Sequence, residues 1–532
     1  MSTQNQFVRQ SAAVLMACRA ASLASHRQPI TQENSIMKQV LLILTAILCI
    51  SAPLCRASAA EARKPNIVFL FADDQRPDTI AAHGNPNIRT PNLDRLAREG
   101  FSFRQNYCAG SYSGAVCVAS RAMLMTGRHW TRIADRSHWK DVPLLPETLA
   151  RNGYRTHAVG KWHNGLPTLA RAFQTGSNLY MGGMCDHTKV PFQHMGTDGQ
   201  LTPTQMGEKF SSTLFADAAI DFVKSDESKN PFFLYVAFTA PHDPRNPPEQ
   251  YRQMYYDNRP PLPENFLPVH PFDNGHVSGT GRDESLAAWP RDPKVISDQL
   301  CEYYGLVTQL DEQVGRILEA IRNSPHGDNT IVIYTADHGL AMGSHGLLGK
   351  QNVYEHSMGA PLIVSGPGVP KGGSTSAMTY LLDLVPTIYR LTGTEIPEGT
   401  DGSDLAPLWR GEKKTVRDSL FLAFQDKMRS VRDERWKLHV YPQINHTLLF
   451  DLKADPGETR NLAEDHPNQV ERLMKLMKDW QQKVEDKRVL SSPNPKPKTF
   501  DANQLTRVLD VWQPDWIIKK YYGDGDFIQH GK

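Results

Sequence analysis

Five short apolar runs, separated by stretches with helical spacing, constrain the fold of this chain more than any other feature. Such runs are typical of strands buried on both faces, as in parallel sheets. Strand and helix then alternate along the chain, which predicts a doubly wound α/β fold with a mostly parallel sheet and helices on both faces. The predicted strands are 67–72, 155–159, 232–238, 330–335 and 362–365, and the clearest helices are 91–99, 211–224 and 297–322.

After about residue 415 the pattern changes to short, closely spaced strand candidates at 421–424, 428–432, 436–441 and 447–451. They predict a small C-terminal antiparallel-sheet subdomain, closed by a helix near 470–487. Residues 491–498 (SSPNPKPK) read as a Pro-rich linker. We expect the aromatic tail beyond it to pack back onto the body or to line a partner surface. Its large side chains are Trp512, Trp516, Tyr521 and Tyr522.

Residues 37–59 have the three parts of a secretory signal peptide. Lys38 provides the positive start, 40–50 is an almost unbroken apolar run, and ASA at 57–59 is a small-residue cleavage site. The run is too short for a transmembrane anchor, and a lipid anchor at Cys55 is a weaker alternative. We therefore expect an exported protein, periplasmic or secreted, without stable membrane insertion. The predicted segments are 1–59 (extension and signal peptide), 60–414 (main domain), 415–490 (C-terminal subdomain) and 491–532 (linker and tail).

The charge of the exported part gives no reason to expect nucleic acid as a partner. Five of the 59 basic residues and one of the 57 acidic residues lie in 1–59, so the remainder has a net charge of −2. Exported proteins usually pair their cysteines. Four remain after residue 59, at positions 108, 117, 185 and 301.

Four of the predicted strands run directly into polar residues. In open α/β sheets, ligands bind at the carboxyl ends of the strands. One such polar residue would more often be a turn former, but four sets at one edge predict a binding or catalytic site. The sets are Asp73-Asp74, Gly160-Lys161-Trp162-His163, Pro241-His242-Asp243 and Asp337-His338-Gly339.

Three acids of these sets, Asp73, Asp74 and Asp337, would repel one another at one sheet edge unless a cation neutralised them. Several carboxylate oxygens suit a hard divalent ion such as calcium or magnesium. The alternative is that one or two of the acids are buried hydrogen-bonding groups with no metal.

Residues 117–128 read CVASRAMLMTGR. This stretch resembles the signature of the type I sulfatase family, Cys-x-Pro/Ala-Ser-Arg followed by an apolar helix that ends in Thr-Gly-Arg. The resemblance covers nearly the whole exported chain, through NIVFLFADDQ, GKWH, APH, TADHG, GKQNVYEH and LLFDLKADPGETRNLA. It implies an alkaline phosphatase-like form of the predicted fold, with 60–414 as its catalytic domain. Taken alone, Cys117 would more simply be a small buried hydrophobic residue.

The resemblance implies a sulfatase whose Cys117 is oxidised to formylglycine by a formylglycine-generating maturase. The aldehyde hydrate carries two hydroxyl groups on one carbon. One attacks sulfur, and the other, once deprotonated, expels sulfate by restoring the aldehyde. The implied substrate is a sulfated carbohydrate or another small sulfate ester. If Cys117 is used in this way, at most one disulfide is left among the other three cysteines.

The resemblance also assigns a metal site. Asp73, Asp74, Asp337 and His338 should bind one calcium ion together with the hydrate of residue 117. The ion would acidify the attacking hydroxyl and draw charge from the sulfate oxygens. A helix that begins near residue 117 would aim its positive end at the anion.

Five further residues receive catalytic roles from the resemblance. Arg121 should hold the hydrate and balance the acids. Lys161 and Lys350 should contact the sulfate oxygens and the bridging oxygen. His242 should protonate the departing alcohol, and His163 should help the hydrate to collapse.

Two positions depart from the pattern of many family members. Ala119 replaces Pro, which bears on recognition by the maturase. His338 replaces Asn, as in choline sulfatases, iduronate sulfatases and formylglycine-dependent phosphonate hydrolases. The alternatives are therefore a phosphonate monoester hydrolase or phosphodiesterase of the same superfamily, and a catalytically silent glycan-binding relative. Other residues near the motifs are candidates to line a sugar pocket, although each would fit ordinary loop packing equally well: His129, Trp162, Asp186, His187, His345, Glu355 and His356.

Overall fold

The computed structural model describes residues 63–133, 136–277, 282–499, 501, 508, 509, 519, 520, 528 and 529. The predicted signal peptide and the four large aromatic residues of the tail lie outside them. The strands are β1 (Asn66–Ala72), β2 (Phe101–Tyr107), β3 (Gly110–Ser111), β4 (Arg155–Lys161), β5 (Thr175–Tyr180), β6 (Pro191–Met195), β7 (Gln205–Met206), β8 (Phe232–Ala237), β9 (Thr330–Ala336), β10 (Gly359–Ser365), β11 (Gly373–Tyr380), β12 (Leu420–Phe424), β13 (Met428–Arg432), β14 (Trp436–Tyr441), β15 (His446–Asp451), β16 (Val508–Leu509) and β17 (Ile528–Gln529).

Within these residues, ten strands form one sheet in the order β11-β2-β10-β9-β1-β8-β4-β5-β6-β7. Its centre, from β9 to β5, is parallel, and the prediction of a mostly parallel α/β sheet is confirmed. All five predicted strands are present. The orientation predicted for 362–365 is wrong, because β10 is antiparallel to both β9 and β2.

The connection between β9 and β10 lacks the long crossover helix that usually joins parallel strands. A parallel return usually needs a crossover of a dozen or more residues, most often a helix that covers one face of the sheet. Here the connecting segment contains one four-residue helix, Glu355–Met358, and is otherwise a loop. An apolar run reports burial on both faces and carries no information on strand direction.

The helices cover both faces of the sheet. Alternate residues of β1 contact two separate cores, with Ile67, Phe69 and Phe71 in one and Val68, Leu70 and Ala72 in the other. The helices are α1 (Pro91–Glu99), α2 (Val116–Thr126), α3 (Leu145–Arg151), α4 (Leu166–Ala172), α5 (Ser211–Ser225), α6 (Glu249–Asp257), α7 (Pro293–Arg322), α8 (Glu355–Met358), α9 (Leu384–Leu391), α10 (Ala406–Trp409) and α11 (Pro467–Lys483). Helix α2 contributes to the first core, and α1, α5 and α7 contribute to the second.

The predicted C-terminal sheet is present, and it includes one strand from the main domain. Its order is β15-β14-β13-β12-β3. Strand β3 pairs in parallel with Ala423 and Phe424 of β12. Gly110 has φ +112°, and a Cβ there would lie 1.8 Å from the Ala423 carbonyl oxygen, so only glycine allows this close approach. The segment boundaries given above stay a prediction.

The four cysteines after residue 59 are all buried and free. Among the residues that the structure describes, no helix is both long and apolar enough to span a membrane.

Candidate active site

The carboxyl ends of four adjacent parallel strands, β9, β1, β8 and β4, form the site. Asp73 follows β1, Lys161 ends β4, His242 follows β8 and Asp337 follows β9. All four side chains are buried. Because the strands are neighbours and run in the same direction, residues distant in sequence meet at one edge of the sheet.

The acids and His338 form a group that could hold a metal ion. Ligand atoms of Asp74, Asp337 and His338 lie within 4.8 Å of one another, as do those of Asp73, Cys117 and Asp337. His338 Nδ1 lies 2.9 Å from the Gly339 carbonyl oxygen. Since a carbonyl can only accept, Nδ1 carries a proton and the Nε2 lone pair is available to a ligand.

The environment of His338 Nε2 supports this reading. Among the described residues, this buried atom has no hydrogen-bond partner. It faces Asp74 Oδ1 at 3.4 Å and Asp337 Oδ1 at 3.7 Å. A buried nitrogen without a partner, directed at two carboxylates, fits a site for a cation that takes oxygen ligands and one imidazole.

The pKa values of Asp74 and His338 are both raised by their surroundings. Burial raises the pKa of Asp74 to about 7, although Lys350 and His338 oppose the rise. Burial lowers the pKa of His338, but Asp337 and Asp74 outweigh it and raise that pKa to about 9. With no cation bound, Nε2 thus also carries a proton, and a divalent cation that bound there would displace this proton and supply the charge instead.

Cys117 is the second residue of α2, so its side chain lies in the first turn of that helix. Its Sγ lies 3.1 Å from His163 Nδ1. Burial alone would raise the thiol pKa, but Lys161 and His163 hold it well below its usual value. The position beside a helix N-terminus and cationic side chains favours an anion.

Arg121 lies one turn further along α2, completely buried beneath the acids. Its guanidinium approaches Asp73 Oδ1 at 3.4 Å and Asp337 Oδ2 at 3.5 Å, and it donates to the Lys161 carbonyl at 3.0 Å. The i, i+4 spacing of Cys117 and Arg121 places both on the same helix face. Arg121 therefore balances part of the acidic charge from inside the protein.

Two lysines complete the group. Lys161 Nζ forms a short ion pair with Asp73 Oδ2. Lys350, on the loop between β9 and α8, contacts both oxygens of Asp74 at 2.8 and 2.7 Å and lies 2.9 Å from His242 Nε2. The structure thus brings together all the residues to which the family resemblance assigned a role.

His242 is a neutral imidazole in this arrangement. Its Nδ1 lies 2.8 Å from the Asp243 carbonyl oxygen and therefore donates a proton. Its Nε2 then accepts from the Lys350 ammonium. Burial and the Lys350 charge together hold the pKa of His242 well below its usual value. The acidic proton of the pair accordingly resides on Lys350.

Most of the residues proposed to line a sugar pocket are buried among other protein groups. His129, Trp162, His187, His345 and His356 are buried and contact other protein groups. Their burial favours the alternative that these five are packing residues, and a substrate contact by any of them stays a prediction. The aromatic and imidazole rings fill space between elements, and proximity to a motif in sequence does not indicate exposure. Asp186 and Glu355 are partly exposed, and Glu355 forms ion pairs with Arg432 and Lys437.

One contributor to the site was not anticipated. Arg282 pairs with Asp243 and Asp283, and Asp283 Oδ2 lies 3.8 Å from Lys350 Nζ. Arg282 and Asp283 lie in a short 3-10 helix, Arg282–Leu286, which is far in sequence from any of the motifs. Its sequence, RDESL, has no periodic or motif signal, so only the three-dimensional arrangement reveals its contact with the site.

Comparisons with known proteins agree with the site. The family model described as Sulfatase matches residues 65–394, and the model described as N-sulphoglucosamine sulphohydrolase, C-terminal, matches residues 343–487. N-acetylglucosamine-6-O-sulfatase of Bacteroides thetaiotaomicron is 27% identical over 535 residues, covering 85% of this chain and 93% of that protein. Choline-sulfatase of Rhizobium meliloti is 28% identical over 433 residues, covering 76% and 83%.

A solved structure, bound to its substrate D-glucosamine-2-N,6-O-disulfate, has a similar fold, with a TM-score of 0.69 and 24% identity. The match covers 80% of this chain and 99% of that one. The Sulfatase model spans more than half of the chain, and its match includes every residue placed in the site. The chain belongs to the sulfatase family, whose members hydrolyse sulfate esters.

Proposed function

We propose that the protein removes sulfate groups from a carbohydrate, with a nucleophile made by oxidation of Cys117 to formylglycine and with one bound calcium ion. The observation that carries the proposal is the position of Cys117. Its side chain lies at a helix N-terminus, 3.1 Å from His163 and within 4.8 Å of ligand atoms of Asp73 and Asp337. A group on this carbon would lie beside both a metal site and the cationic side chains that suit a sulfate.

The donor set favours calcium. Its three carboxylates, Asp73, Asp74 and Asp337, suit a hard ion that takes oxygen ligands, and the family resemblance adds His338 as the fourth ligand. A calcium ion at this site would lower the pKa of the attacking hydroxyl group and stabilise charge on the sulfate oxygens. Arg121 and Lys161 hold Asp73 in position. The Lys350 ammonium would contact the sulfate group of the substrate.

The substrate class rests on the relatives and on the predicted export. One relative is named for N-acetylglucosamine 6-sulfate, and a structure of the same fold holds a glucosamine disulfate. Sulfated polysaccharides are met outside the cytoplasm, where the predicted signal peptide would send this chain. We therefore propose an exported carbohydrate sulfatase and expect a panel of defined sulfated oligosaccharides to identify its sugar.

The mass of the peptide that contains residue 117 tests this proposal. Conversion to formylglycine removes sulfur, so the peptide from protein co-expressed with a maturase should be lighter than the unmodified peptide. A catalytically silent relative would keep the thiol. Turnover of matched aryl sulfate and aryl phosphonate esters then separates the two enzymatic readings, and a preference for the phosphonate would contradict the sulfatase assignment.

Removal of calcium is expected to abolish activity and to lower the melting temperature. A ligand that binds only the folded state stabilises it by about 2.7 kcal/mol at a concentration one hundred times its Kd. After exhaustive chelation, addition of calcium should restore both properties. Activity assays and thermal unfolding measure them. A chelator saturated with calcium is the control. Normal turnover by the metal-free enzyme would contradict the metal assignment.

A further inference from the structure

The Lys350 ammonium lies between two buried carboxylates. Both oxygens of Asp74 are within 2.8 Å of Nζ, and Asp283 Oδ2 is 3.8 Å away on another element. Lys350 itself is 2% exposed, so water does little to stabilise its charge. In such surroundings, the position of a lysine side chain is set by its nearest counter-charges.

The two carboxylates differ in their relation to the metal site. Asp74 belongs to the group that could hold a metal ion, whereas Asp283 belongs to none of the candidate groups among the described residues. When the oxygens of Asp74 bind a cation, they no longer neutralise Lys350 fully. Asp283 is then the remaining acid beside the ammonium.

Asp283 is held in place for this contact. Its Oδ1 accepts from Arg282 at 2.6 Å, and its Oδ2 accepts from Gln351 Nε2 at 2.9 Å. Burial would raise the pKa of the Asp283 carboxyl, but Lys350 and Arg282 keep it well below its usual value. The carboxylate is therefore charged and has a fixed orientation.

The neighbouring residue ties the same segment to the loop that carries Lys350. Glu284 accepts from the backbone N–H of Leu348 at 3.0 Å and of Gly349 at 2.9 Å. Arg291, which is 1% exposed, pairs with Glu284 in turn. Two consecutive acids thus fix both the backbone that leads to Lys350 and its ammonium.

We propose that Asp283 is a positioning residue that holds the Lys350 ammonium towards the substrate and reduces its competition with calcium for Asp74. This inference rests on the proposed function, because it requires a cation at Asp74. Without Asp283, Lys350 would pair with Asp74 alone, and that pair would oppose binding of the metal. The effect therefore appears in calcium affinity as well as in turnover.

The variant Asp283→Asn tests the inference on the purified enzyme. We expect the calcium concentration at the midpoint of the calcium-induced rise in melting temperature to increase roughly tenfold, in the range of coupling between contacting residues. Asp283→Glu keeps the charge and should restore most of the affinity. At saturating calcium, kcat on an aryl sulfate should fall by a larger factor than KM rises, because Lys350 is misdirected after the substrate is bound.

A double-mutant cycle with Lys350→Ala separates this mechanism from a simple loss of negative charge. If Asp283 acts through Lys350, Asp283→Asn should shift the calcium midpoint much less in the Lys350→Ala background. Asp226→Asn is a matched control. Asp226, like Asp283, has a buried carboxylate paired with a partly exposed arginine, Arg155, but at the opposite end of β4 from the site. This control should leave the calcium midpoint unchanged.

The possible outcomes distinguish a failure of the proposed function from a failure of the role inferred for Asp283. Wild-type enzyme with no calcium-dependent change in melting temperature would contradict the proposed function itself. A calcium response that is the same in wild type and Asp283→Asn would overturn the inference alone. An equal shift in the presence and absence of Lys350 would also overturn it, since the charge would then act on the metal directly.

Discussion

Cys117→Ala is expected to fold as the wild type does and to lose sulfatase turnover by several orders of magnitude. The substitution removes the group from which the nucleophile is made, and removal of a covalent catalyst has effects of this size. Alanine should be tolerated because residue 117 is buried in helix α2, and alanine is small and favours helices. The same helix already contains Ala119. Turnover of an aryl sulfate and thermal unfolding measure the two properties on one sample.

Cys117→Ser is the matched control for the loss of turnover. It places a hydroxyl on the same carbon, but a serine ester of sulfate would need a second difficult displacement. Without a maturase that oxidises serine, this variant should be almost as inactive as Cys117→Ala. Activity of Cys117→Ala near that of the wild type would contradict the mechanism.

His242→Ala is expected to slow hydrolysis of a sugar sulfate by about 10²–10⁴-fold, the usual value of general acid catalysis. A sugar alkoxide is a poor leaving group, whereas a nitrophenolate leaves without protonation. The loss on nitrophenyl sulfate should therefore be much smaller. Measurement of kcat/KM for both substrates tests this, and equal losses would show that His242 only positions the sulfate.

Lys350→Ala is the informative companion to that variant. His242 Nε2 accepts from the Lys350 ammonium at 2.9 Å, so the proton reaches the leaving oxygen from this pair rather than from an imidazolium. Both variants should then show the same preference for the activated ester. A loss on both substrates for Lys350→Ala alone would assign the lysine to the sulfate oxygens and leave the acid role to His242.

The sequence was sufficient to predict the centre of the sheet and the residues at its edge. Strands such as β1 and β9 are mostly apolar because both faces are buried, and the acids that follow them interrupt this pattern sharply. Parallel neighbours place such acids together by geometry alone. For the same reason Asp73 and Asp337 were predictable as one site although they are far apart in the chain.

Three features were not predictable for definable reasons. The direction of β10 depends on the path by which the chain returns to the sheet after β9, which a local apolar pattern does not report. The role of Asp283 depends on a contact with a distant loop, and a single acid in an irregular segment has no periodicity to identify it. Burial of His187 and His345 likewise results from tertiary packing, which overrides the polarity of their side chains.

Strand β3 has a consequence for the order of events during synthesis. The residues that lead into α2 are fixed by pairing with β12, a strand made hundreds of residues later. In the folded chain Cys117 is 1% exposed, so its side chain is not accessible to a second enzyme. At ordinary translation rates, β12 follows β3 by tens of seconds. If Cys117 is converted to formylglycine as proposed, a maturase would have to reach the thiol within that interval, before the C-terminal sheet is complete.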